Sequence, residues 1–560
     1  MYIDPSLAVQ RAERGQIRRS KPSPRGRVWC VWSIAVLVLS TLAVSQASCG
    51  KSPTERTPEG ESAQSTEQRC DARDGAVCFT LGRTHYYGLK TAIDYAKATL
   101  YFQKGCDAGH GQSCVELGDI FNEGVGRDVD TVSALSRHER GCELGAGEGC
   151  FRLGIRYVLG EGVDIDKTRG HALITKGTTL LTKACGSDDG YACPEAAETL
   201  QRGIGVDKDT ARARTLHAKA GTLLAASCTQ GDIFACQERA LLFKKDVLGK
   251  ADLSQFRQKM KTLCDGGLVS ACAHLAESLD QGEGGAKEPA EARRLWEKTC
   301  GQGSPKACYG WAKQLIEAKT YPQAAELAEK ACRGGVTSAC AEAGLLVKKH
   351  IKPVDEPRER RLMQEACSRG AQAACAYLGA MMLKGAGGPK DLKGARKHFK
   401  SSCRADRSLG CFALAGMIEK GLGGEVDLVA AGLLYHRACQ LKDVASCNKA
   451  VLLLMKNKTP ERTKLARQSV VLGCELKSKE ACMLASAFLV NGIGGPKEPS
   501  RARRLLESGC RNNHASSCYW LGDFYAKGDF GSKDRYSARR YIRQACRMGS
   551  RKACQHRLNR

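Results

Sequence analysis

The sequence predicts an all-α fold: an α/α repeat solenoid of about thirteen helix-turn-helix units, wound as a right-handed superhelix and stapled by disulfides. Three observations carry that expectation. Cysteines recur in pairs eight residues apart, small residues hold fixed positions relative to them, and apolar residues recur at helical spacing. No long β-branched alternating run competes with the helical pattern.

The pairs are Cys70 with Cys78, Cys106 with Cys114, Cys142 with Cys150, Cys185 with Cys193, Cys228 with Cys236, Cys264 with Cys272 and Cys300 with Cys308. They continue with Cys332 and Cys340, Cys367 and Cys375, Cys403 and Cys411, Cys439 and Cys447, Cys474 and Cys482, Cys510 and Cys518, and Cys546 and Cys554. Successive pairs start 36, 36, 43, 43, 36, 36, 32, 35, 36, 36, 35, 36 and 36 residues apart. Four residues after the second cysteine stands a small residue, such as Gly82, Gly118, Gly154 or Gly522, with Val451 the exception. Eight residues before the first cysteine stands alanine in most units, among them Ala98, Ala134, Ala395 and Ala502. Small residues at fixed points on consecutive helices let the axes approach closely.

Each unit therefore reads as a helix A from near the second cysteine to a glycine ten residues on, a polar loop, and a helix B ending at the next first cysteine. The glycine, for example Gly124, Gly160 or Gly528, sits where a left-handed C-cap is needed. Leu117, Ile120 and Phe121 mark the buried stripe of one helix A, and Leu505 and Leu506 that of a helix B. Seven extra residues are nearly two helical turns, so the two 43-residue steps predict lengthened B helices over Ile174–Ala184 and Ala211–Ser227. Units beginning at Cys236, Cys308, Cys340 and Cys447 lack the cap glycine and are expected to be irregular.

Leu153-Gly154, the G-x-G-V run Gly160–Val163 and the A-R-R-L run in Ala292–Trp296 together resemble Sel-one-like repeats, relatives of the tetratricopeptide repeat. The cysteine pairs resemble the secreted, cysteine-rich subgroup known as Hcp-type β-lactamases. The likeness runs from Cys70 to the C-terminus. It implies the solenoid fold and, as an activity, hydrolysis of a β-lactam amide.

Adjoining ends of two helices across a short loop come close enough for a disulfide, so bonding is expected within each pair. Structural zinc sites use closer cysteine spacings and four convergent ligands. No metal and no cofactor is expected.

The N-terminus reads as a signal peptide over residues 1–48. Seven basic residues, Arg11 to Arg27, precede an apolar run at Val31–Val44, and Ala47-Ser48 stand before Cys49. Cys49 is the one cysteine left unpaired after the leader, and its setting resembles a bacterial lipobox, with Gln46 departing from the pattern. Lipidation at Cys49 and ordinary cleavage both stay open. Residues 49–69 have the composition of a disordered tether, and 70–560 form the solenoid. The net charge of +27 falls to about +22 without the leader. Such a charge favours anionic lipid, cell-envelope polymers or acidic partners, while no nucleic-acid motif is present.

Two function classes follow. The first is an exported scaffold, periplasmic or attached to the outer membrane as a lipoprotein, otherwise secreted, that binds protein partners on its concave surface. Glu116, Asp119, Trp520 and Asp523 fall off the buried stripe of the A helices and are the candidate binding residues. The second is the penicillin-binding or β-lactam-hydrolysing enzyme that the resemblance implies. Ser446 and Lys449 match S-x-x-K, but the S-D-N and K-T-G elements are missing and Cys447 belongs to a pair. His171, His274 and His436 form no metal-binding motif.

Overall fold

The computed structural model describes residues 63–203, 205–244, 253–456 and 458–556. The expected leader and Cys49 lie outside them. Among the described residues there are 28 helices and one isolated β-bridge. Thirteen A helices alternate with B helices, from Gly75–Tyr87 to Ala515–Lys527, and the four-residue helix Arg551–Cys554 starts one more. The expected tether is shorter than its composition suggests: Ala63–Asp71 is helical. This segment is held by Glu67, which accepts the Tyr101 hydroxyl at 2.7 Å, and by the Cys70–Cys78 bond.

Local chemistry fixes where each helix begins and ends. B helices start at an aspartate whose side chain accepts the backbone N–H three residues on, as Asp94, Asp130, Asp166, Asp209 and Asp391 do. Pro289, Pro460 and Pro499 supply the first residue of three others. A helices end on left-handed glycines, including Gly124 at φ 63° and Gly160 at φ 72°.

The A helices begin earlier than the pattern predicts. Gly111–Glu123 starts three residues before Cys114, because His110 caps it by accepting the Ser113 N–H. Cys150, Cys272, Cys482 and Cys518 likewise follow the openings of their helices, at Gly147, Val269, Lys479 and Ala515, by three residues. Ser478 caps the third of these by accepting the Ala481 N–H at 3.3 Å. Cys193 is the exception, one residue into the helix that opens at Ala192. Both cysteines of a joint thus lie inside helical turns.

The long steps behave as expected. Lys167–Gly186 and Thr210–Thr229 have 20 residues, against 13 for the common B helix. Where the cap glycine is missing the ends differ: Thr337–His350 runs into extended backbone at Ile351, and Val444–Leu454 stops after 11 residues.

All fourteen cysteine pairs are bonded, with Cα–Cα separations of 4.3 to 4.8 Å. Cys142 is bonded to Cys150, Cys185 to Cys193, Cys264 to Cys272, Cys474 to Cys482 and Cys510 to Cys518. The second cysteine in each of these five is buried, so the staple belongs to the core and not to the loop surface. The helical turn that carries it points its sulfur inward, at the end of the preceding B helix.

Between A and B helices the core is built by pairing small with large. A Cβ on Gly82 would lie 2.5 Å from the Phe102 ring, and one on Gly379 would lie 3.0 Å from Phe399. The alanines eight before the cysteine, Ala98, Ala134, Ala395 and Ala502 among them, are fully buried. Gly154 gives the sharpest test of this packing. A Cβ there would lie 2.7 Å from the Gly170 carbonyl oxygen and 2.9 Å from the Ile174 nitrogen, so backbone has to move. Gly154→Ala is expected to cost about 1–3 kcal/mol in urea unfolding. Gly186→Ala, with nothing within 4 Å, should be neutral or slightly stabilising.

The chain divides into two compact units, Met1–Gly310 and Trp311–Arg560. The first closes on itself. Leu89 pairs antiparallel with Leu268, Lys90 N–H donates to the Gly267 carbonyl at 3.0 Å, and Val269 N–H donates to Gly88 at 3.1 Å. Ile93 N–H reaches the Gln302 carbonyl at 2.9 Å. The loop after the first A helix therefore touches the sixth and seventh repeats. In the second unit a continuous core runs from Ala376 to Ala502 and includes the buried Phe399 and Tyr435.

Candidate functional site

Residues two before and two, five and nine after the second cysteine of a joint fall within about 60° of helix A. They lie opposite the stripe packed on helix B. This face is built differently in the two units.

In the first unit closure folds the face inward. The Arg83 guanidinium donates to the Tyr191 hydroxyl at 3.4 Å and lies 4.3 Å from the Phe234 ring centre and 4.7 Å from that of Tyr191. Tyr191 in turn donates to Asp232 at 2.7 Å. Asp119 accepts from His138 Nε2 at 3.0 Å and lies 3.5 Å from Arg152 Nε. Burial alone would raise its pKa, but Arg152 and His138 hold it below the usual carboxylate range. Glu116 goes the other way. Burial, with Glu148 and Asp119 close by, pushes it up to about 8, and Arg83 and Arg152 offset only part of this. Glu148 is itself bound by Arg152 at 2.7 Å and Gln112 at 2.9 Å. Further round, Lys306 donates to His274 Nδ1 at 2.7 Å and pairs with Glu277 at 2.9 Å. Burial, with Lys306 adding to it, pushes His274 down to about 3, and against burial the same lysine holds Glu277 at about 2.

The four candidate binding residues are thus less open to water than expected. Glu116 and Asp119 are half-buried in this inward network, because the first unit curls back on them. Asp523 is buried and pairs with Lys527 at 2.6 Å. Trp520 is half-buried, its ring centre 5.5 Å from Tyr519 and 6.0 Å from Phe524. Glu116 and Asp119 share one A helix of the first unit, Gly111–Glu123, and Trp520 and Asp523 share one of the second, Ala515–Lys527.

Sequence reasoning missed what distinguishes the second unit. Residues 311–560 hold 46 Lys and Arg against 22 Asp and Glu, a net +24, whereas residues 1–310 hold 41 against 38, a net +3. Its A-helix face also exposes aliphatic side chains, with Leu345 39 %, Leu409 59 % and Leu452 68 % exposed.

Catalytic geometry is absent at the S-x-x-K match. Ser446 is fully buried, its hydroxyl donates to Asp443, and Lys449 bonds the Tyr435 hydroxyl at 3.2 Å. Two open clefts, one lined by Lys464, Arg467 and Arg501 and the other by Thr178, Asp207 and Arg212, do not include it. Cys367, Cys375 and His398 cluster, with His398 Nδ1 3.4 Å from Cys367 Sγ, but the two sulfurs are bonded to each other. No described helix is long and apolar enough to cross a membrane.

Paired helices stacked at a near-constant period, each buried against its neighbours, define an α/α repeat solenoid. The chain belongs to the Sel1 repeat family, whose model matches residues 76–110, 147–178, 192–223, 269–304, 318–336, 372–406, 408–443, 480–514 and 515–550. This family commonly mediates protein–protein interaction. No curated protein matches the chain in sequence. Among solved structures it is similar to a protective antigen of uropathogenic Escherichia coli displaying an SLR fold, at 16 % identity and TM-score 0.36, covering 89 % of this chain and 98 % of the other. It is also similar to a Sel1 repeat protein from Oxalobacter formigenes, at 21 % identity and TM-score 0.30, covering 38 % and 88 %. A density of disulfides this high points to an oxidising, exported environment.

Proposed function

We propose that this protein is an exported scaffold that binds protein partners through the A-helix face, with β-lactam hydrolysis the lesser reading. One observation supports it most: a solenoid rigidified at every joint leaves Leu345, Leu409 and Leu452 uncovered on one face. The leader over residues 1–48 directs the chain out of the cytoplasm, to the periplasm, to the outer membrane when Cys49 is lipidated, or otherwise to the medium. The surplus of Lys and Arg adds attraction to envelope polymers or anionic lipid.

A photo-reactive side chain at Leu452 should give adducts with another polypeptide. The same group at Tyr536, 82 % exposed on the B helix Arg535–Arg547, should not. Equal adducts at both positions, or adducts at Tyr536 alone, overturn the reading. Turnover of a chromogenic cephalosporin that tracks the folded protein puts the hydrolase first.

A further inference from the structure

The second unit carries a feature that neither packing nor capping uses. Nine residues after the second cysteine stand Lys349, Lys384, Lys420 and Lys456 in four consecutive repeats, the first two in the last turn of helix A, Lys420 at its C-cap and Lys456 in the turn after Leu454. All four are exposed, and no ion pair or hydrogen bond engages their ammonium groups among the described residues. A lysine in this place is favoured by the negative end of the helix dipole. That preference alone does not produce the row. In the first unit the same position holds Tyr87, Glu123, Leu159, Arg202, Lys245 and Gln281.

Beside the lysines, on the same face, runs an apolar strip. Five residues after the second cysteine the same four repeats place Leu345, Ala380, Gly416 and Leu452, and Leu409 stands two residues before Cys411. A basic row flanking an aliphatic strip, in a unit of net charge +24, has a complement of definite chemistry.

We infer that the A-helix face of the second unit is a docking groove for an extended, acidic polypeptide segment that also carries aliphatic side chains. The inference rests on the scaffold reading above and assigns its partner class. In the polyproline II conformation an extended chain repeats every three residues at about 3.1 Å each, so every third side chain lies on one edge. Acidic side chains at every third position would then face the lysine row along one edge, and aliphatic side chains on the adjacent edge would cover the strip. A nucleic acid would satisfy the lysines but leave the leucines wet. In the first unit the corresponding carboxylates, arginines and tyrosines satisfy one another, so no equivalent row is free there.

The test is fluorescence anisotropy on the full oxidised protein with a fluorescein-labelled peptide of about fifteen residues repeating Glu-Val-Pro, a sequence that favours the polyproline II conformation. Comparison ligands are the Lys-Val-Pro peptide and a single-stranded oligonucleotide. K349Q/K384Q/K420Q/K456Q should weaken the acidic peptide about tenfold, since exposed charge pairs contribute a few tenths of a kcal/mol or more each. Leu452→Ser should weaken it a few-fold. K393Q/K397Q/K400Q, three exposed lysines on the helix Leu392–Arg404, should change little. No binding of the acidic peptide, or equal loss in the K393Q/K397Q/K400Q protein, overturns the inference. Equal binding of the oligonucleotide with no effect of Leu452→Ser also overturns it, in favour of a general polyanion surface. Any of these results alongside specific cross-links at Leu452 leaves the scaffold standing and removes only the acidic partner.

Discussion

Removing the interior staple with Cys403→Ala and Cys411→Ala should lower unfolding stability by about 2–3 kcal/mol, whereas removing Cys546 and Cys554 in the same way should cost clearly less. A nine-residue closed loop is worth about 2.5 kcal/mol in the chain-entropy account. Cys403 and Cys411 are buried, and alanine leaves no unsatisfied polar group behind. The interior joint is clamped between complete repeats on both sides, so loosening it also weakens two interfaces. Among the described residues the terminal joint closes onto the four-residue helix Arg551–Cys554, whose one buried residue is Ala553. Chemical denaturation of the two variants beside the parent reads the difference. Equal midpoints for all three would mean that the bonds are passengers in an array held by helix packing alone. Reduction with a phosphine in the absence of chelator extends the test to all fourteen bonds: it should lower the melting temperature by more than any single pair does.

The staples show what kind of information the sequence exposes. Local rules repeat in every unit, so the cysteine period, the cap glycines and the lengthened helices Lys167–Gly186 and Thr210–Thr229 are legible. Each depends only on residues within one or two turns. The start of helix A is less so. It lies up to three residues ahead of Cys114, Cys150, Cys272, Cys482 and Cys518, because the capping group, as at His110, is not always one of the usual N-cap residues. The closure of the first unit is not legible at all. Its bridge joins Leu89 to Leu268, and nothing near either residue announces the other. That one missing contact explains why Glu116 and Asp119 read as water-facing in the sequence. The lysine row is visible in principle, nine residues after the second cysteine, but the same position suits any cation at a helix end. Only comparison of the two units, with the aliphatic strip alongside, separates the two roles.

The closure of the first unit also determines how stability should vary with pH, and here two neighbouring carboxyls act in opposite directions. Glu116 is raised from 4.5 to about 8, so between those values the folded protein holds a proton that the unfolded chain has lost. The contribution of that proton is complete below pH 4.5 and disappears as pH rises through 8. Glu116→Gln mimics the protonated form. At pH 5 the variant should match the parent. At pH 9 it should be more stable, by on the order of 2 kcal/mol once the partial solvent access of the site is allowed for. Asp119 is lowered from 3.8, so its contribution is present above that value and is lost only as pH falls below it. Asp119→Asn removes the partner of His138 and Arg152 and should destabilise by about 2–3 kcal/mol across the neutral range. Urea midpoints at pH 5, 7 and 9 separate the two variants. If Glu116→Gln tracks the parent at every pH, the carboxyl is solvated as an ordinary surface group, and the first unit is not closed over it in solution.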